Sequence, residues 1–367
     1  MPSRRAALAA FFAFGFMWGS WAAIVPAVQH ATGASKGELG LALLCVGLGS
    51  LPAMLVVGPR LDRVPVLLPA SLAVLAAAAV LPAFAGSVAV LAATLLVWGA
   101  VSGVVDVGIN AEVAAIESAT GDRSMQLAHA LFSSGLLAGA LLAGAARQAG
   151  AGRLPILAVA ALALAAAAVA NRRPVPRAPA RDEGPTNVLG LHRAAVGVAA
   201  ICTFAFVVEG ALENWSALFL TRDLDAGPGV SALGPASYAV AMAGGRFSAQ
   251  WLTRRFSDRM LLTAGGICAA VGTVTAAAAP AIPVALVGFF LGGAGVSVAA
   301  PIAFGAAGRI GGARGISTVT TVGYLGFLAG PPIVGATGQA FGLRISFVLL
   351  AGLAATIAVA AGRIRLE

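Results

Sequence analysis

The chain has 367 residues, 59% of them hydrophobic and only 10% charged, with a mean hydropathy of +0.94. Soluble domains carry about 25% charged residues, so a water-soluble globular fold is excluded and a lipid-embedded one is implied. The net charge of +9 comes from basic residues scattered through short polar breaks, with no basic helix interleaved with aromatics, which argues against a nucleic-acid partner.

A helix needs about 20 mostly apolar residues to cross the hydrocarbon core. The first such run, 6–29, follows a basic start like that of a signal peptide, but it is too long for one and many others follow, so it reads as an uncleaved span. It carries Trp18 and Trp21, which would stack on a sugar ring or an aromatic solute, or anchor the helix at an interface. The second run, 38–58, ends at "GPRLDRVP" (58–65), and a third occupies 66–85.

The fourth run, 87–111, ends in "VVDVGINAE" (104–112). Asp106 lies about 27 Å into it at 1.5 Å per residue, with Asn110 one turn further on the same face. A charge inside the bilayer costs about 3 kcal/mol on insertion scales and usually has a job. The pair reads as a protonatable carboxylate beside an amide that binds a ligand hydroxyl, or as a structural pair near the cytoplasmic end. The fifth run, 126–147, opens with His129, expected at the depth of Asn110 and in reach of Asp106 as a proton relay or a helix tie. Its Gly135 and Gly139 match the spacing that lets helices approach closely.

The sixth run, 153–171, precedes the longest polar segment, 172–193, which is rich in Pro and Arg and divides the chain into a first bundle, 1–171, and a second, 194–367. The seventh, 194–220, contains "FVVEGALENWSALFL" (206–220). Glu209 and Glu213 lie one turn apart there, about 24 and 30 Å from its start. Two such carboxylates repel if both are ionised, which makes one a natural proton site; Glu213 also fits an outer-interface charge. Asn214 and Trp215 follow as candidate substrate contacts. The remaining runs are 231–252, 260–279, 282–306 with Ser297, 316–339 with Pro331 and Pro332, and 343–362.

The expected fold is therefore all-α, with twelve transmembrane helices and both termini cytoplasmic. That orientation puts seventeen of the 23 basic residues in inner segments and five in outer ones, with Arg246 inside a span. "GLLAGALLAG" (135–144) and "GFLAGPPIVG" (326–335) share five of ten positions at a shift of 191 residues. The same shift lays Gly19 on Gly210, and Asp106 on Ser297. A shift of six spans makes two parallel six-helix repeats around a central cavity.

Cys45, Cys202 and Cys268 sit in apolar runs at wide spacing and form neither a disulfide framework nor a metal pattern. No nucleotide-binding loop, zinc-protease motif or nucleophile elbow is present, so neither an enzyme nor a cofactor is expected.

With two six-span halves and Gly58, Asp62 and Arg63 in the second loop, the chain resembles the major facilitator superfamily. "DVGINAE", "HALFSSGLLAGALLAG", "EGALENWSALFL" and "GYLGFLAGPPIVG" resemble its fucose-permease-like branch, bacterial inner-membrane proteins. The resemblance implies proton-coupled symport of a small polar solute, with a monomer as the unit and protons, the solute and the lipid bilayer as its partners. It places Asp106 and Asn110 in the acid-and-amide pattern of span 4, although the acid that fucose permease has in span 1 is missing here, where Glu209 would substitute. Trp18, Trp21, Asp106, Asn110, Glu209 and Ser297 would line the cavity, and Gly58, Asp62 and Arg63 would belong to the cytoplasmic gate. A proton-driven exporter and a membrane protein without flux are the alternatives.

Overall fold

The computed structural model describes residues 4–57, 67–121, 124–172 and 193–363. Among them the chain forms α1 (Arg4–Thr32), α2 (Lys36–Val57), α3 (Leu67–Ala78), α4 (Val88–Thr120), α5 (Met125–Gln148) and α6 (Arg153–Ala170). Then follow α7 (Arg193–Asp223), a single turn α8 (Pro228–Ser231), α9 (Leu233–Arg255), α10 (Asp258–Ala278), α11 (Ile282–Val296), α12 (Ala299–Phe341) and α13 (Leu343–Arg363).

Eleven segments of the described residues are long and apolar enough to cross a membrane. The expected span 231–252 does form a helix, α9, but Ser237, Arg246, Ser248, Arg254 and Arg255 keep it less apolar than the others.

Local chemistry sets several of the ends. Ser87 caps α4 by accepting from the Val90 amide, and Ser257 caps α10 through the Met260 amide. α4 runs on to Thr120 rather than stopping near 111, because no breaker intervenes before Gly121, whose φ of 74° closes the helix onto the Glu117 carbonyl. Asp106 thus sits near the middle of α4, not close to its end.

α12 is 43 residues long, yet it is not one straight rod. Gly312 has a φ of 58°, and a side chain on Gly315 would overlap the Ala307 carbonyl oxygen. In a straight helix those residues would be about 12 Å apart. The chain therefore reverses near Gly312 and separates two apolar stretches, Ile282–Ile310 and Thr318–Phe341.

Small residues decide which helices meet. A methyl group on Gly15 or Gly19 of α1 would overlap the carbonyl oxygens of Phe132 or Leu136, and one on Gly135 or Gly139 of α5 would overlap those of Phe12 or Phe16. The two backbones touch along that seam. α7 and α12 meet in the same manner, with Gly326 against the Thr203 carbonyl and Gly323 against Cys202 Sγ. Of the most apolar stretch of each helix, 78% is buried in α1 and 72% in α7 but only 22% in α2, so α1 and α7 are interior and α2 is peripheral. Leu55, Leu142, Leu162 and Phe341 are exposed, as a lipid-facing surface requires.

Gly139→Val is expected to remove most of the folded protein, since overpacking alone costs about 1–3 kcal/mol and a carbonyl cannot move aside cheaply. Gly352→Ala on α13, where nothing lies within contact of the new methyl, should fold as well as the parent. The yield of monodisperse protein in size-exclusion chromatography measures both.

Candidate functional site

The site is assembled from α4, α5, α7, α9 and α12. Because Asp106 and Asn110 lie one turn apart on α4, the Asn110 amide donates to Asp106 Oδ1 at 3.0 Å and to the Asp106 carbonyl at 2.9 Å. The second carboxylate oxygen, Oδ2, accepts from the Tyr324 hydroxyl of α12 at 2.7 Å. Both oxygens of this one carboxylate are thus engaged, and the bond joins helices on opposite sides of the 172–193 segment. Tyr324 is itself held by Phe206 and Phe327, with ring centroids 5.8 and 5.9 Å away.

A second network crosses the molecule nearby. Glu209 of α7 accepts from Arg246 Nη2 of α9 at 2.9 Å, and Arg246 Nη1 donates to Ser133 Oγ of α5 at 2.7 Å. The side chains of Arg246 and Glu209 are only 13% and 8% exposed, so the pair is held largely away from water. Glu213, one turn along α7, is buried as well, and no hydrogen-bond partner engages it among the described residues. Tyr238 of α9 stands near both carboxylates.

His129 does not pair with Asp106. The expected juxtaposition of α4 and α5 gives way to packing of α5 on α1 and α9, because the glycine seam with α1 fixes where α5 goes. His129 packs edge-on against Phe11 at 5.3 Å and shares its neighbourhood with the Arg246 guanidinium. Its carbonyl accepts from Ser133 Oγ at 3.2 Å.

The tryptophans form their own cluster. Trp18 and Trp21 of α1 lie against Trp98 of α4 at 4.9 and 5.2 Å between ring centroids. Trp21 Nε1 donates to Asn214 Oδ1 of α7 at 3.4 Å, and the Asn214 amide donates to the Gly210 carbonyl. Trp98 Nε1 and Ser102 Oγ, one turn apart on α4, are buried with no hydrogen-bond partner among the described residues. The same holds for Trp215 Nε1 and Ser216 Oγ. Ser297, just past the end of α11, is buried against Gly245, next to Arg246, and donates back to the Ala294 carbonyl of that helix. Gly58, Asp62 and Arg63 lie outside the described residues.

Tyr324, Trp98 and Arg246 were not singled out from the sequence. Arg246 carried a signal, a lone cation inside an apolar run. Tyr324 and Trp98 carried none, because their partners lie 218 and about 80 residues away.

Further bonds link the same two groups of helices at the end remote from Arg4 and Arg363. Arg222 Nη2 donates to Gln29 Oε1, Gly229 N to Gln148 Oε1 and Lys36 N to Gln339 Oε1, each at 3.1 Å. These contacts close that end, while the buried networks described above lie deeper.

Residues 6–312 match the family described as the Major Facilitator Superfamily. The chain is 32% identical over 360 residues to an uncharacterized MFS-type transporter of Yersinia pestis, covering 96% of this chain and 93% of that one. It is 28% identical over 372 residues to the membrane protein MosC of Rhizobium meliloti, with 95% and 87% covered. Among solved structures it is similar to a bacterial homologue of the human lysosomal transporter Spinster, in an inward-facing and occupied conformation. That match has a TM-score of 0.74 and 16% identity, covering 98% and 96%. The nucleoside transporter NupG also matches, with a TM-score of 0.74, 11% identity and 98% of both chains covered. At these identities the two structures speak to the fold alone.

Proposed function

Because the chain belongs to the Major Facilitator Superfamily, and so is a multi-pass membrane transporter of a small molecule and not an enzyme, we propose that it is a proton-coupled symporter. In this reading it carries a small polar, sugar-like solute inward by alternating access and falls in the fucose-permease-like branch. The observation that carries the reading is the Asp106 carboxylate, placed at the middle of α4 and tied by Tyr324 to a helix of the other half. A carboxylate in that position can take up or release a proton only as the interface around it rearranges, which couples titration to movement of the halves.

The architecture follows in the same reading. α9 is the twelfth span, its cation turned inward to Glu209 rather than to lipid. Two six-helix repeats account for the α1–α5 glycine seam and its counterpart between α7 and α12. The basic residues orient both termini to the cytoplasm of an inner membrane, and the unit is a monomer. Asp106, Glu209 and His129 handle protons. Trp18, Trp21, Asn110, Glu213, Asn214, Trp215 and Ser297 serve the solute, and Gly58, Asp62 and Arg63 the cytoplasmic gate. Asn110 acts chiefly through Asp106 here, since its amide is already committed to that residue.

Proteoliposomes loaded with a pH-sensitive dye test the proposal against a panel of sugars and small polar metabolites. One solute should drive protons in its own direction. Proton movement opposite to the solute would make the protein an exchanger that exports. No movement with any solute, from protein shown to be folded, would sink proton coupling altogether.

A further inference from the structure

We infer that a cleft at the end of the bundle remote from both termini binds a phosphate-bearing anion, and that binding holds this end closed. Five cationic side chains gather at that end. Three are engaged there: Arg222 by Gln29, Arg344 by the carbonyls of Ala277 and Ala279 and by Asp223, and Lys36 by the field of Asp223. The other two, Arg147 and Arg153, line a single cleft of about 350 Å³ with Pro26, His30, Thr221 and Ser231.

No carboxylate lines this cleft among the described residues. The Arg147 guanidinium makes no hydrogen bond or ion pair among the described residues. Arg153 spends Nη1 on the Ala85 carbonyl at 3.1 Å and keeps the rest of its guanidinium free. The Thr221 and Ser231 hydroxyls donate to the carbonyls of Ala217 and Pro228, so the two guanidinium groups are the cleft's main source of free donors. Two guanidinium forks in one pocket suit a phosphate, which each can hold through paired N–H groups. The turn that carries both arginines from the end of α5 to the start of α6 is set by Gly150, with a φ of 87°.

Place and size point the same way. The cleft sits at helix ends, the depth at which lipid phosphates lie, and its volume exceeds what inorganic phosphate fills. Its walls come from α1, α5 and α6 on one side and from α7 and α8 on the other. A bound anion offsets the repulsion between the cations and bridges the two groups of helices. An opening of this end would pull its ligands apart.

The test uses the purified full-length protein in a neutral detergent. Melting is followed with added dioleoylphosphatidylglycerol or dioleoylphosphatidylcholine, and separately in sodium phosphate or sodium chloride of equal ionic strength. Phosphatidylglycerol is expected to raise the Tm by about 3 °C over phosphatidylcholine. The rise should vanish in Arg147→Gln/Arg153→Gln and persist in Arg222→Gln, a cation of the same end outside the cleft. Arg147→Gln alone, which breaks no side-chain hydrogen bond or ion pair among the described residues, should lose at least half of the rise. A rise with inorganic phosphate that the double variant loses would also support the site and identify a soluble anion as its source. A rise that survives in Arg147→Gln/Arg153→Gln, or no rise with either anion, would overturn the proposal.

Discussion

Asp106→Asn is expected to abolish solute-driven proton movement, by at least about tenfold, in protein that still folds. The amide has the shape of the carboxylate, and its oxygen still accepts from the Asn110 amide. The Tyr324 hydroxyl, which now donates at 2.7 Å, can reverse and accept from the new NH2 group. What is lost is the group that exchanges a proton. Tyr324→Phe is the companion: it keeps the ring packed on Phe206 and Phe327 but removes the bond between helices, a hydrogen bond worth about 0.5–1.5 kcal/mol. It should change the rate and leave flux measurable. Proteoliposome proton flux, with counterflow of the solute measured alongside, separates the two. Unchanged flux in Asp106→Asn would move the proton site away from α4, first to Glu209.

The second large effect concerns Arg246. Arg246→Leu leaves Glu209 buried without its cation and Ser133 without its donor, and should destabilise the protein by about 3–5 kcal/mol. Removing both charges together, in Arg246→Leu/Glu209→Leu, is expected to restore most of that stability, because a buried ion pair replaced by apolar groups is often close to neutral. Transport should stay lost in the double variant. Melting temperature and solute flux measured on the same preparations read the two consequences apart. Normal melting of Arg246→Leu would mean that water or another group compensates Glu209, and the cross-bundle link through Arg246 would lose its structural role.

The candidate site was legible in its acids and opaque in its partners. Asp106, Glu209 and Glu213 stand out because ionisable groups are rare in apolar helices and each costs free energy there. Their spacing of four residues also foretold the Asp106–Asn110 bond, since one helical turn brings such side chains together. Loop length is a poor guide to which helices are neighbours. The short link between α4 and α5 suggests His129 beside Asp106, whereas the α1–α5 seam carries it toward Arg246.

Hydropathy and length by themselves determined that this chain is a helical membrane protein, and the positions of its apolar runs followed, because an unpaired backbone in lipid is too costly for anything but a helix or a closed barrel. The family motifs were equally readable. Only the tertiary structure decided which helices are interior, since α1 and α2 are both apolar enough for lipid yet differ more than threefold in burial. It alone showed that the arginine inside the expected eighth span, Arg246, faces Glu209. It also brought Tyr324 to Asp106 across 218 residues. Lipid and protein interior are similar solvents for an apolar side chain, so composition cannot distinguish the face that meets one from the face that meets the other. Backbone contact at small residues makes that choice, and with it the partners of every buried charge.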